Sequence, residues 1–385
     1  MKNLKYRISD WIIERLASEG IEHIFVLPGG GAMHLNDALA LSDLVKSVPC
    51  QHEQACGIAA EAYGRTGENG APRFGVAMIT TGPGATNVVT AVAGAWIDSI
   101  PMMVISGQAK RADLLEGRPL RQKGVQEVEI VSIVRPITKF AATVPSAEAV
   151  RPLFEQALDA MLSGRPGPVW LDVPLDVQAA SMPIYAVDAR VSNLDRDLGN
   201  DVRPTVTTTE LEYIEQLLTK AQRPLVLAGH GVRLGDAGKE LRRWIETLGL
   251  PCLFTWNALD LLPAEHDLNI GRPGVVATRG ANFAVQNADL LICLGARLDP
   301  VVTGYNRQAF GRNAIKVIVD IDAEELQDKC DIPDATLVCA DVRSLLTALL
   351  ARSARAELNI EPWRARCRRW KRDHPLHPTD RKSVV

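Results

Sequence analysis

The sequence predicts an α/β protein with two doubly wound, mainly parallel-sheet domains in tandem and a short C-terminal tail. Short, continuously apolar segments recur along the 385 residues, most of them end at glycine, and helical patterns lie between them. Continuously apolar strands are typical of parallel sheets that are buried on both faces. A chain of this length can hold two or three such domains.

The first domain is predicted at residues 1–180. Its strands are expected at four apolar segments, residues 24–27, 74–80, 101–106 and 168–173. Helices are expected between them, for example at residues 86–98 and 147–162. Residues 181–205 are rich in turn formers and poor in large apolar side chains, which predicts a surface linker.

A second α/β domain is predicted at residues 206–350. Five apolar segments predict its strands, at residues 224–228, 251–254, 289–294, 316–320 and 335–339. The tail, residues 351–385, begins with a basic helix pattern at residues 363–372 that contains two tryptophans. Such a helix could bind nucleic acid or a membrane, but the near-neutral chain favours a solvated, truncated interdomain connector.

Composition excludes several classes of function. The net charge of −3 predicts neither a nucleic-acid partner nor a membrane surface, and no apolar run is long enough to span a bilayer. The seven cysteines form no C-x-x-C pair, which argues against both a disulfide framework and a zinc site. We therefore expect reduced thiols, a cytoplasmic protein and no metal site within this chain.

The candidate site residues lie near two glycine loops of the first domain. Glu53 stands between the Leu-Pro-Gly-Gly-Gly run at residues 27–31 and the Gly-Pro-Gly turn at residues 82–84. Ligands of open α/β sheets bind at the carboxyl ends of the strands, where both loops are expected. Taken singly, each feature has a structural explanation, since acidic residues favour helix starts and Gly-Pro makes tight turns.

Taken together, the motifs resemble those of the thiamine-diphosphate-dependent enzymes of the acetolactate synthase type. The resemblance covers about residues 5–350, with the short motifs in the family's order. They include Leu-Pro-Gly-Gly at 27–30, Gln-His-Glu-Gln-Ala at 51–55, Thr-Thr-Gly-Pro-Gly-Ala-Thr-Asn at 80–87, Ser-Gly-Gln at 106–108, Gln-Glu at 126–127, Ser-Gly-Arg-Pro-Gly-Pro at 163–168, Gly-Ala-Arg-Leu-Asp at 295–299 and Asp-Ile-Asp at 320–322.

The resemblance implies a 2-keto acid decarboxylase or carboligase that uses thiamine diphosphate. Glu53 matches the family glutamate that hydrogen-bonds N1′ of the aminopyrimidine ring and acts as the catalytic acid–base group. The other matched positions line the cofactor: Pro28, Thr80, Pro83, Asn87 and Gln126. A homodimer or homotetramer is implied as well.

FAD is a further cofactor of many acetolactate synthases, and relatives without flavin keep the same fold, so both alternatives stay open. The positions that match the flavin region are Arg165, Arg297, Asp320 and Asp322. An acidic residue at a strand end suits a ribose hydroxyl. Without turnover, the chain would be an inactive remnant or a nucleotide- or FAD-binding protein.

Two departures from the family pattern concern substrate and completeness. Leu27 and Val125 stand where the family often has aromatic residues, and residues 110–122 form an extra stretch, so the substrate and product stay open. Family members carry a third domain whose Gly-Asp-Gly…Asn motif binds Mg²⁺ and the diphosphate. No such motif follows residue 350, and we therefore expect either a partner chain that supplies this domain or a truncated product.

Overall fold

The computed structural model of the chain describes residues 6–66, 74–115, 117–182, 203–353 and 358–375. The chain divides into two compact units, Met1–Asp201 and Val202–Val385, each described here by itself. Most of the predicted linker at residues 181–205 lies outside the described residues, as does the end of the tail after residue 375.

The first unit contains a six-stranded sheet in the order β2-β1-β3-β4-β6-β5, and every neighbouring pair of these strands is parallel. The strands are β1 (His23–Val26), β2 (Lys46–Pro49), β3 (Gly75–Ile79), β4 (Met102–Gln108), β5 (Phe140–Thr143) and β6 (Val169–Pro174). The helices are α1 (Ile8–Ser18), α2 (Met33–Leu41), α3 (Glu53–Arg65), α4 (Pro83–Thr86), α5 (Val89–Asp98), α6 (Ile130–Val134), α7 (Val150–Leu162) and α8 (Leu175–Gln178).

Both faces of this sheet are covered, which confirms the doubly wound prediction. One core cluster joins the sheet to α1, α2 and α7, and the other joins it to α3, α5 and α6. Successive side chains of β4 alternate between the two clusters: Met103 and Ile105 lie in one, Met102 and Val104 in the other. Burial on both faces explains why the central strands are apolar at most positions, with Gln108 of β4 and Asp172 of β6 among the exceptions.

The second unit repeats the parallel architecture with a sheet in the order β12-β11-β10-β7-β8-β9. Its strands are β7 (Pro224–Ala228), β8 (Cys252–Phe254), β9 (Asn269–Gly271), β10 (Leu290–Leu294), β11 (Ile315–Asp320) and β12 (Ala335–Cys339). Its helices are α9 (Thr208–Lys220), α10 (Gly231–Leu234), α11 (Gly238–Leu248), α12 (Arg279–Asn287), α13 (Pro300–Thr303), α14 (Ala323–Gln327), α15 (Val342–Ser353) and α16 (Glu361–Asp373).

The structure differs from the sequence prediction at three strands and in the tail. Strands β2, β5 and β9 were not predicted, because they are edge strands of only three or four residues, too short to give a clear apolar run. The basic helix was expected to be solvated, but α16 packs on the second unit. Trp363 and Cys367 of α16 are buried in its core, while the arginines occupy the outer face.

Candidate functional site

The two predicted glycine loops meet where the strand order of the first sheet reverses. The chain leaves β1 towards β2 on one side, while β3 lies on the other side of β1, so the carboxyl ends of β1 and β3 flank a crevice. The backbone N–H of Gly31 donates to Oγ1 of Thr80 at 3.1 Å. A Cβ on Gly29 would lie 2.5 Å from Cβ of Thr80, so only glycine allows this approach.

Glu53 is the first residue of α3, and its half-buried carboxylate reaches the loop that follows β3. His52 caps the helix, because its Nδ1 accepts the N–H of Gln54 at 3.1 Å. Nδ2 of Asn87 donates to Oε2 of Glu53 at 2.8 Å. The other oxygen, Oε1, faces Gly84, where an added Cβ would lie 3.1 Å away. The carboxylate is thereby oriented by Asn87 over a surface left open by glycine.

Gln126 reaches the same loop from the segment after β4. Its backbone has a positive φ of 57°, and a Cβ on Gly82 would lie 1.8 Å from the carbonyl oxygen of Gln126. Gly82 itself has a φ of 59° and precedes Pro83, the first residue of α4. Residue 82 is therefore restricted to glycine both by its backbone conformation and by contact with Gln126.

The structure places all six residues predicted for the thiamine diphosphate site on or beside the two glycine loops. Glu53, Thr80, Asn87 and Gln126 make the contacts described above. Pro28 and Pro83 are exposed on the loops themselves. Gly29, Gly82 and Gly84 allow the loops to approach closely and leave the polar side chains at an open surface. The carboxylate and the two amides there can hydrogen-bond the edge of a flat heterocycle.

Three of the four predicted flavin residues share the carboxyl edge of the second sheet. Asp320 ends β11, and its Oδ1 accepts the N–H of Asp322 at 3.1 Å. Asp322 caps α14 by accepting the N–H groups of Glu324 and Glu325. Arg297 follows β10 and lies 3.8 Å from Glu325. Arg165 is elsewhere, in the first unit, where its Nε donates to Oγ of Ser99 at 2.7 Å.

A buried polar network between β4 and β6 was not predicted to be functional from the sequence. Asp172 on β6 accepts hydrogen bonds from Ser106 at 2.5 Å and from Gln108 at 2.9 Å. Burial raises the pKa of Asp172 to about 7, although hydrogen bonds from Ser106, Gln108 and Thr143 oppose that rise. The Ser-Gly-Gln stretch and an acidic residue inside an apolar strand were the available signals.

Within the described ranges, no group of three or more His, Cys, Asp and Glu residues is arranged to hold a metal ion. None of the helices described is both long and apolar enough to cross a lipid bilayer.

Comparison with known proteins gives two family matches. The model described as thiamine pyrophosphate enzyme, N-terminal TPP binding domain, matches residues 6–133. The model described as thiamine pyrophosphate enzyme, central domain, matches residues 211–349.

Curated relatives of the chain carry the name acetolactate synthase. The isozyme 2 large subunit of Escherichia coli (strain K12) is 33% identical over 374 residues, which are 95% of this chain and 63% of that protein. Acetolactate synthase 1, chloroplastic, of Nicotiana tabacum is 34% identical over 378 residues, or 96% of this chain and 53% of that protein. The chain thus spans between half and two thirds of the length of these relatives.

Proposed function

Because this chain belongs to the thiamine pyrophosphate enzyme family, we propose that its first unit binds the aminopyrimidine ring of thiamine diphosphate. The reaction we propose is that of a 2-keto acid decarboxylase or carboligase of the acetolactate synthase type. One observation carries the proposal: the carboxylate of Glu53 lies at the reversal point of the sheet, with Oε2 fixed by Asn87 and Oε1 directed at Gly84. A carboxylate held in one orientation at an open edge suits proton exchange with a ring nitrogen.

Each residue of the site has a distinct proposed task. Glu53 holds the proton that is shared with N1′ of the ring, and Asn87 keeps the carboxylate from rotating away. Gly84 leaves room for the ring beside Oε1, since a side chain there would contact the carboxylate. Gln126 offers an amide to substrate or ring from the opposite loop. When bound, thiamine diphosphate supplies the electron sink for decarboxylation of the 2-keto acid.

The test uses the full chain with thiamine diphosphate and Mg²⁺. Calorimetric titration measures affinity, and NMR measures how fast the C2 proton of the thiazolium exchanges with deuterium. We expect the protein to accelerate this exchange, and Glu53→Gln to lower the acceleration by at least about tenfold, since an amide cannot take up the proton.

Glu22→Gln is the matched control, because Glu22 is exposed just before β1, at the opposite end of the strand from the site. It should leave the exchange rate unchanged. Equal rates for Glu53→Gln and the unaltered protein would refute the assignment of Glu53. Very tight binding of thiamine diphosphate by the chain alone would contradict the expectation that the diphosphate anchor is supplied elsewhere.

We propose that Mg²⁺ and the diphosphate are bound by a domain beyond the residues of this sequence, on another chain or on a longer form of this one. The greater length of the relatives supports this. Addition of a separately produced diphosphate-binding domain should then restore 2-keto acid turnover. Failure of such mixtures to turn over any 2-keto acid would favour a remnant without activity.

A second copy of the chain is the proposed partner of the first unit. Ile58 on α3 and Trp96 and Ile97 on α5 are between 41% and 57% exposed, which is unusual for large apolar side chains next to a site. Sedimentation should show a dimer, and Ile58→Glu combined with Ile97→Glu should dissociate it. Leu41→Glu, at an equally exposed position on α2, is the control.

The second unit supports a further candidate function, the binding of a nucleotide such as FAD. Counted from β7, its strands follow the order 3-2-1-4-5-6, which is common among dinucleotide-binding sheets. Asp320 at the end of β11 is suited to a ribose hydroxyl, and the exposed Arg297 to a phosphate. Purified protein should show the visible absorption of a flavin, and Asp320→Ala should reduce it. A colourless protein that does not bind added FAD would exclude this candidate.

A further inference from the structure

The end of β4 carries a buried side chain that connects two distant parts of the first unit. Gln108 is 3% exposed, and its Oε1 accepts the N–H of Ala109 at 2.8 Å. That bond fixes which end of the amide donates. Nε2 then donates to Oδ2 of Asp172 and to the carbonyl oxygen of Val128, both at 2.9 Å. Gln108 therefore links β6 to the segment of residues 124–129.

Asp172 is held in place by several hydrogen bonds, because donors surround its carboxylate. Besides Gln108, it accepts a hydrogen bond from Ser106 on β4 at 2.5 Å and one from Thr143 on β5 at 3.3 Å. Nε1 of Trp170 donates to Oγ of Ser106 at 2.8 Å and extends the network. Movement of any member would break hydrogen bonds, and Ser106, Gln108 and Asp172 are too buried to find new partners readily.

The segment of residues 124–129 has a second anchor in Glu127. Its buried carboxylate accepts the backbone N–H groups of Leu115, Lys123 and Gly124. Gln126, which contacts Gly82, immediately precedes Glu127, and Val128 follows it. The carboxylate of Glu127 thus holds the backbone before Gln126, at Gly124. Gln108 holds the backbone after Gln126, at Val128.

We propose that Gln108 and Asp172 are positioning residues, which fix Val128 and thereby hold Gln126 against Gly82 at the cofactor loop. Neither side chain reaches the crevice, so they act through Gln126. The ordering of residues 124–129 follows from the hydrogen bonds alone. The effect of this ordering on the affinity for thiamine diphosphate rests on the proposed function. Separate measurements therefore test the ordering and the affinity.

The first measurement is hydrogen exchange of the amides of residues 124–129 in the full chain. Gln108→Met removes both donated bonds and keeps the length of the side chain, so exchange should become at least about tenfold faster. Asp172→Asn keeps an oxygen acceptor for Gln108 and should retain most of the protection, whereas Asp172→Ala should lose it. Thr143→Val is the matched control, because it removes a hydrogen bond to Asp172 and leaves the bonds from Gln108 to Asp172 and Val128 in place.

The second measurement is a double-mutant cycle on the affinity for thiamine diphosphate with Mg²⁺. Gln108→Met should weaken binding about tenfold by itself and add nothing in a Gln126→Ala background, because the side-chain amide of Gln126 that Gln108 positions is then already absent. A purely structural role would give additive losses, and additivity would overturn the link to Gln126. Unchanged exchange in Gln108→Met would overturn the positioning itself. If the parent protein binds no thiamine diphosphate even after addition of the diphosphate-binding domain, the proposed function fails, and the exchange result decides the positioning.

Discussion

Nδ2 of Asn87 donates a hydrogen bond of 2.8 Å to Oε2 of Glu53, across 34 residues of sequence. Asn87 directly follows α4, and Glu53 opens α3, so the bond joins the segments that follow β3 and β2. The carboxylate is therefore oriented before any ligand arrives. Preorganisation of this kind lowers the entropy that binding has to overcome.

Asn87→Ala should release the carboxylate of Glu53 and weaken thiamine diphosphate binding about fivefold, because an exposed hydrogen bond to a charged group contributes about 1 kcal/mol. Calorimetric titration measures the change. Thr90→Ala, at an exposed position of α5, is the control and should bind like the parent protein. Equal affinities for both variants would show that the orientation of Glu53 does not matter for binding.

Gly84→Ala should abolish ligand binding while the protein stays folded. The added Cβ would lie 2.7 Å from Cγ2 of Thr80 and 3.1 Å from Oε1 of Glu53, so the carboxylate has to move. Gly238→Ala is the control, since its Cβ would meet only Leu261 at 3.4 Å, an ordinary contact. Circular dichroism checks the fold, and normal binding by Gly84→Ala would contradict the role of this glycine.

The stability of the protein should depend on pH through Asp172. Burial raises its pKa from the ordinary 3.8 to about 7, so the native state holds a proton that the unfolded state releases between these values. The free energy of unfolding should therefore fall as the pH rises from about 4 to about 7, and level off above. The pKa difference corresponds to at most about 4 kcal/mol.

Asp172→Asn removes this titration. Relative to the parent protein, the variant should gain stability as the pH is raised from about 4 to about 7, by up to a few kcal/mol. Urea unfolding at several pH values measures the two curves. Parallel curves would show that Asp172 does not titrate in this range.

Trp363→Ala should destabilise the second unit by about 3–5 kcal/mol, the usual loss for a large buried aromatic side chain. The side chain of Trp363 is 3% exposed, and its Nε1 donates to the carbonyl oxygen of Pro224 at 2.9 Å. Arg369→Ala on the exposed face of the same helix is the control. Thermal unfolding compares them, and equal midpoints would mean that α16 is not needed for the stability of the unit.

The sequence alone predicted the central strands of both sheets and the edge strand β12, because these segments are apolar at most positions. The edge strands β2, β5 and β9 gave a weaker signal, because each is only three or four residues long. The two tryptophans of α16 carried the signal for a packed helix, but the surrounding arginines concealed it. A basic outer face and a buried inner face coexist on one helix.

The family resemblance inferred from the motifs is confirmed by the two matched domain models. Sequence order placed Glu53 near the glycine loops, yet it could not show that Asn87 binds one carboxylate oxygen or that Gln126 contacts Gly82. Those contacts depend on the backbone conformation of the loops, notably the positive φ of Gly82 and Gln126. Local propensity does not encode where such loops meet.

The strand order of the first sheet also governs when the site can form during synthesis. Glu53 and Asn87 can be brought together once β1 and β3 have paired, but β6, whose Asp172 binds Gln108, ends only at Pro174. Nascent chains shorter than this would leave Gln108 with Val128 but without its acceptor on β6. Such parallel, long-range pairings form slowly. A ribosome-bound chain should therefore acquire the Glu53–Asn87 bond well before residues 124–129 become protected.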